Sequence, residues 1–144
     1  MVRQRFTLDS YGWQCTVYYA VRAGDVGEVL EAMHAIGCDG EMLRAAYGNI
    51  AGGEKNTGVT YSNFAARQTV MVIAAVSSPV EFAKSWRHEA GHMAMHIAQA
   101  FGIDPYGEQV QYIGDEIVGA TWEYAAPRLC ACRCCRRKAA RTER

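Results

Sequence analysis

The stretch SPVEFAKSWRHEAGHMAMHIAQAFG, residues 78–102, carries the strongest structural signal in this 144-residue chain. Ser78 is a good capping residue, Pro79 suits the first helical position, and Glu81 stands three residues after the cap. Gly102 is well placed as a C-terminal stop. These signals predict a long helix from Pro79 to Phe101.

One face of this predicted helix carries the side chains that point to chemistry. Apolar residues at intervals of three and four define a stripe that we expect to face the core: Phe82, Trp86, Ala90, Met93, Ile97 and Phe101. At about 100° per residue, His88 and His92 project away from the centre of that stripe. Because residues four apart have Cβ atoms about 5–6 Å apart, both imidazoles can reach one tetrahedral zinc ion. Glu89 is then placed to act as general base on a zinc-activated water.

A catalytic zinc site of this kind needs a third protein ligand. His96 continues the spacing, but three histidines in four-residue steps span about 12 Å of helix, too far for one ion. The acids that follow are Asp104, Glu108, Asp115 and Glu116. We select Glu108, because a turn at residues 104–107 can lay the next helix across the histidines, and a helix N-terminus favours a charged carboxylate. Glu116 is the alternative ligand.

The motif resembles that of a known enzyme family. His88-Glu89-Ala90-Gly91-His92, followed by a glutamate on the next predicted helix, resembles the zincin metallopeptidases of gluzincin type. In small bacterial and prophage members, the second element is an acid, three variable residues, tyrosine, an aliphatic residue and glycine. Residues 108–114, EQVQYIG, have that form. The chain also resembles a group of short proteins from bacterial and prophage genomes over residues 5–117.

The resemblance implies roles for particular residues. It assigns His88, His92 and Glu108 as zinc ligands and Glu89 as the general base. Tyr112 is a candidate to stabilise an oxyanion or to orient Glu108, with plain packing as the alternative. One departure is Gln111, where such proteins more usually carry a small residue.

The fold predicted around this helix is a small α+β domain of minimal zincin type. We expect an antiparallel or mixed sheet of three or four strands and about four helices. Strands are predicted at residues 5–7, 14–21 and 67–76, with 56–63 a strand or loop, and helices at 25–36, 39–50, 79–101 and 108–124. The resemblance also implies an edge strand that pairs with an extended substrate, supplied near Val59–Tyr61 or Val70–Val76.

Length and cysteine spacing divide the chain into one domain, residues 1–127, and a tail, residues 128–144. Cys15 and Cys38 are isolated, whereas four of the six cysteines stand together in the basic tail: Cys130, Cys132, Cys134 and Cys135. Their successive spacings of two, two and one differ from the paired Cys-x-x-Cys of zinc ribbons. We therefore expect a poorly ordered tail of reduced thiols rather than a second zinc site.

The charge balance and the hydropathy of the chain disfavour nucleic-acid binding and membrane insertion. Fifteen basic and fifteen acidic residues give a formal net charge of zero, so a specific nucleic-acid partner is not expected. The N-terminus lacks an apolar signal region, and no stretch reaches membrane-spanning length, so we predict a cytoplasmic protein without a membrane partner. Its oligomeric state is open.

The function predicted from the sequence is zinc-dependent hydrolysis of a peptide bond in a peptide or protein substrate. The alternative is a non-catalytic metal-binding or interaction module on a zincin scaffold. A metal-dependent nuclease is disfavoured by the neutral charge balance.

Overall fold

The computed structural model describes residues 1–142 and has the predicted α+β class, with a four-stranded mixed sheet and five α-helices in that part of the chain. The strands are β1 Val2–Leu8, β2 Trp13–Val21, β3 Gly58–Asn63 and β4 Gln68–Ala74. The helices are α1 Val26–Ala35, α2 Gly40–Ala51, α3 Pro79–Ala100, α4 Glu108–Ala125 and α5 Arg133–Thr142.

The sheet has the strand order β1-β2-β4-β3. β1 pairs with β2 and β3 pairs with β4 in antiparallel fashion, whereas β2 and β4 are parallel. Of the two segments proposed as the substrate-pairing edge, β4 is therefore central and β3 forms the edge. Because α3 also packs against β3, the edge strand lies beside the helix that carries the histidines.

Both faces of the sheet are covered by helices. Val17 and Tyr19 of β2 join one core with residues of α3 and α4, whereas Tyr18 joins a second core with residues of α1 and α2. Val21 belongs to the same core as Tyr18 although it is three residues further on. A bulge with Ala20 at φ 57° shifts the register there and returns the side chain to that face.

The long helix α3 begins as predicted, with the Ser78 hydroxyl accepting a hydrogen bond from the Glu81 amide at 3.3 Å. The predicted stripe is buried from Phe82 to Ile97. Its last member was wrongly placed, because Phe101 follows the end of the helix and is 39% exposed. The Phe101 ring contacts the rings of Tyr11 and Trp13 instead.

The tail has more structure than the sequence suggested. We expected little order after Pro127, whereas a short 3-10 turn at residues 126–128 leads into α5. The Arg128 guanidinium lies 5.2 Å from the Tyr19 ring centroid and donates to Thr142 Oγ1 at 3.3 Å. Helix α5 is only ten residues long, is rich in Arg and Lys and has no buried residue, so its composition resembled that of a disordered basic tail. Residues 143 and 144 of the predicted tail lie outside the described residues.

Candidate functional site

The two histidines of the motif converge. His88 and His92 are both exposed on α3, as predicted, and their Nε2 atoms lie 3.0 Å apart. Two ligands on a tetrahedral zinc ion with bonds of about 2.0–2.1 Å are separated by about 3.3 Å. The pair, called here the histidine pair, is therefore close to the spacing that one zinc ion needs.

Glu89 occupies a different environment from the histidine pair. Its side chain is 4% exposed and points towards β3, where Thr60 Oγ1 donates a hydrogen bond to Glu89 Oε2 at 2.6 Å. A buried carboxylate costs free energy unless hydrogen bonds or a nearby cation compensate for its lost hydration. One hydroxyl supplies part of that compensation, and a cation on the histidine pair would supply more.

A glycine on the edge strand makes room for Glu89. A Cβ atom at Gly58 would lie 2.7 Å from both Cγ and Oε1 of Glu89 and 2.6 Å from the carbonyl oxygen of Val72. Ordinary carbon contacts are about 3.5–4.0 Å, so no larger residue fits without displacement. No local sequence pattern marks Gly58, because the requirement for glycine arises from the packing of β3 against α3.

Two openings flank His88. A cavity of about 350 Å³ is lined by His88, Glu89 and residues from the start of β3, including Gly58. A larger, more apolar groove of about 840 Å³ runs between α3 and α4 and is lined by both histidines. An extended ligand crossing the histidine pair would contact both openings.

The acids proposed as third ligand are spread over several places. Asp115 lines the same groove as the histidine pair. Glu108 is exposed at the start of α4 and is not among the groove residues in the described chain. Glu116 accepts a hydrogen bond from Ser10 at 3.3 Å, and Asp104 accepts one from the Tyr106 amide at 2.9 Å. Of these four acids, Asp115 is the one that lines the groove with the histidine pair, but within residues 1–142 no carboxylate oxygen lies within 4.8 Å of both histidine ligand atoms. Glu108 stays a prediction of the sequence.

Two other candidate side chains do not converge with the histidine pair. Tyr112 is 60% exposed on α4 and, within residues 1–142, is not among those lining the groove. The His96 ring centroid is 6.3 Å from that of His92, but its Nδ1 is 2.8 Å from Ser62 Oγ on β3 and its ring packs against Phe64. Burial, followed by the charge of His92, lowers the pKa of His96. His96 thus connects α3 to β3.

The donor atoms of the motif suit zinc. Imidazole nitrogen atoms with one carboxylate form a common ligand set for a catalytic zinc ion, which keeps one position open. His88 and His92 supply the nitrogens, and Asp115 is the carboxylate that shares their groove. The two histidines therefore fit a zinc ion, whereas a carboxylate ligand would require α4 to move towards them, because no group of three ligand atoms that includes the pair lies within 4.8 Å in residues 1–142.

A second group of potential metal ligands lies in the tail. The Sγ atoms of Cys130, Cys132 and Cys135 all lie within 4.8 Å of one another, and this is the only such group of three in residues 1–142. We call it the cysteine trio. A metal ion can be held there. The sequence does contain a metal-binding signal here, because Cys132 and Cys135 form a Cys-x-x-Cys pair. It was missed because only the spacings between consecutive cysteines were compared, and Cys134 stands between the two.

The sulfur atoms of the tail interact strongly with one another. A hydrogen bond with Cys134, whose Sγ lies 2.9 Å away, and bonds with its other neighbours lower the pKa of Cys132 to about 6. In the core, by contrast, burial raises the pKa of Cys15 to about 12. The hydrogen bond with Cys132 raises the pKa of Cys135 to about 12, so Cys132 is the tail thiol that most readily forms a thiolate.

No protein-family model, no curated protein and no solved structure matches this chain. Among residues 1–142, none of the helices combines the length and apolar character that crossing a bilayer requires.

Proposed function

We propose that this protein is a zinc-dependent metallopeptidase whose centre is the histidine pair with Glu89. The observation that carries the proposal is the 3.0 Å separation of the two Nε2 atoms beside a buried carboxylate on the same helix. A structural histidine pair would not need a glycine on the neighbouring strand to admit a buried acid. The proposed ligands are His88, His92 and a carboxylate from α4, with Asp115 favoured by its position.

Zinc, when bound, supplies a Lewis acid that lowers the pKa of water and polarises a carbonyl group. Glu89 accepts the proton of the attacking water and then returns it to the leaving amine. Thr60 fixes one oxygen of the carboxyl group, Oε2, so that Oε1 is the atom available for proton transfer. The tight packing at Gly58 holds Glu89 in this orientation.

The edge strand supplies the surface for the substrate backbone. Within residues 1–142, β3 pairs with β4 alone, so its other edge is available for an added strand. A peptide bound there would extend past His88 into the α3–α4 groove. Because that groove includes Trp86, Val118 and Trp122, it suits an apolar side chain of the peptide.

The test compares the zinc-loaded wild type with Glu89→Gln, using a defined peptide mixture analysed by mass spectrometry. We expect wild-type cleavages to fall by about 10²–10⁴-fold in Glu89→Gln, which removes general-base catalysis. Zinc content should stay unchanged, since Glu89 is not a proposed ligand. Glu123→Gln, at an exposed position of α4, is the matched control.

The results distinguish a metallopeptidase from a non-catalytic metal-binding module. A zinc-loaded wild type that cleaves nothing in the mixture would favour the non-catalytic metal-binding module. Cleavage that persists in Glu89→Gln would remove Glu89 from the reaction and contradict the proposed mechanism.

A further inference from the structure

The cysteine trio forms a compact arrangement of sulfur atoms independent of α3. Two thiolates bound to one tetrahedral zinc ion at about 2.3 Å are separated by about 3.8 Å. The three Sγ atoms are all within 4.8 Å of one another, so side-chain adjustments of about an ångström suffice for common ligation. The three sulfur ligands therefore come from one short segment, residues 130–135.

The local backbone holds two of these sulfur atoms in place. The Cys132 amide donates to Cys130 Sγ at 3.3 Å, and the Cys135 amide donates to Cys132 Sγ at 3.4 Å. Such hydrogen bonds from amides orient metal ligands and favour negatively charged sulfur. The carbonyl of Cys132 also accepts from the Arg136 amide at 3.0 Å, which makes Cys132 the residue that caps α5.

The charge of the surroundings suits a cluster of thiolates. Three thiolates and one divalent ion carry a net charge of minus one. The positive end of the α5 dipole lies at Cys132, and Arg133, Arg136, Arg137 and Lys138 follow within the helix. These positively charged side chains would compensate for the negative charge of a metal ion bound to three thiolates.

Cys134 differs from the trio. Its Sγ lies 2.9 Å from Cys132 Sγ and 4.0 Å from Cys135 Sγ. Cys134 is nevertheless not among the residues whose Sγ atoms all lie within 4.8 Å of one another. The trio thus supplies three ligands, and Cys134 is not assigned as a fourth.

We propose that Cys130, Cys132 and Cys135 form a second metal site, selective for thiophilic ions of the zinc class, which fastens the first turn of α5 to the segment after α4. The ligand set is sulfur alone, which disfavours magnesium and calcium. Cys130 belongs to the connection after the 3-10 turn and Cys135 to α5, so a shared ion joins the two segments. This site does not depend on the proposed peptidase centre.

The test titrates Co²⁺ into the full chain carrying His88→Ala and His92→Ala, reduced and freed of metal. Sulfur ligation gives an intense charge-transfer absorption that imidazole ligation lacks. We expect about one sulfur-bound Co²⁺ per chain, displaced by an equivalent of Zn²⁺. Zinc should also slow amide exchange at Cys135 and Arg136, whose amides donate to Cys132, because ligation resists opening of the first turn.

Single variants identify the ligands. Cys130→Ser, Cys132→Ser and Cys135→Ser should each weaken Co²⁺ binding by about 100-fold, given the large binding free energy shared by the ligands of a thiolate site. Cys134→Ser is the matched control and should leave the affinity nearly unchanged.

Four results would overturn the proposal in whole or in part. Absence of the sulfur absorption would exclude the site, and a stoichiometry of one ion per two chains would exclude a site within one chain. Loss of binding in Cys134→Ser equal to that in Cys135→Ser would contradict the three-residue assignment. Unchanged amide exchange with zinc bound would remove the fastening role.

Discussion

The histidine pair and the cysteine trio each bring ligand atoms close together, but the structural elements that hold those atoms differ. The histidine pair is carried by a 22-residue capped helix whose other face is buried in the core. The cysteine trio spans a short loop and the start of an exposed helix, and its hydrogen bonds are made within the tail. In a helix, the residue spacing alone determines how far apart two ligands lie. In a loop, the distance between ligands also depends on the backbone conformation, which the spacing does not give.

This difference predicts how the two sites respond to metal. The histidine pair should be pre-organised, so binding there should leave the domain nearly unchanged. The cysteine trio should gain order on binding, because its support is local and exposed.

The largest effect is expected from His92→Ala in a chain that also carries Cys130→Ser, Cys132→Ser and Cys135→Ser. With the tail site removed, zinc content reports on the histidine pair alone. We expect about one zinc ion per chain before the His92 substitution and affinity lower by about 10³-fold after it. Mass spectrometry of the metal content measures this. Retention of the zinc would show that the pair is not the ligand set.

A smaller effect distinguishes the candidate third ligands. In the same background, Asp115→Asn should weaken zinc binding by about 100-fold, because Asp115 lines the groove with the histidine pair. Glu108→Gln should have little effect if its exposed position at the start of α4 persists. Competition with a chelator gives both affinities. The reverse result would support the ligand inferred from the zincin resemblance and would require α4 to shift on binding.

Gly58→Ala tests the packing that orients Glu89. The added Cβ would approach Glu89 Cγ and the Val72 carbonyl, so we expect a loss of about 1–3 kcal/mol in the free energy of unfolding. Denaturant titration measures the change. Gly119→Ala is the control, since its Cβ meets nothing within 4 Å on α4, and it should stabilise the helix by about 0.5–1 kcal/mol. Equal effects of the two variants would contradict a tight contact at Gly58.

The buried thiol of Cys15 gives the smallest of these effects. Burial raises its pKa from 9.0 to about 12, so its contribution to stability is present below pH 9 and is lost as the pH rises towards 12. At pH 10 the loss is about 1.4 kcal/mol relative to pH 8, since one pKa unit corresponds to about 1.36 kcal/mol. We expect the free energy of unfolding, measured as a function of pH, to fall more steeply above pH 9 in the wild type than in Cys15→Ala. Parallel curves would show that the thiol is not buried in solution.

Much of the fold was predictable because its signals are local. The cap at Ser78, the apolar stripe from Phe82 to Ile97 and the buried strand before them each depend on neighbouring residues, and the structure confirms them. Phe101 was misplaced because its packing depends on Tyr11 and Trp13, which are distant in sequence. Helix α5 was missed because a short, strongly basic segment that buries no residue resembles a disordered tail in composition.

Helical spacing was enough to predict the histidine pair, because it fixes the distance between residues four apart. It also placed Glu89 next to the pair on the same helix. The burial of Glu89 against Thr60, the room that Gly58 gives it and the position of Asp115 in the groove all depend on packing between elements. The cysteine trio lies between these cases, because its Cys-x-x-Cys pair is visible in the sequence while the approach of Cys130 depends on the local loop conformation. Contacts between elements depend on how whole surfaces pack, and residue spacing along one segment does not encode them.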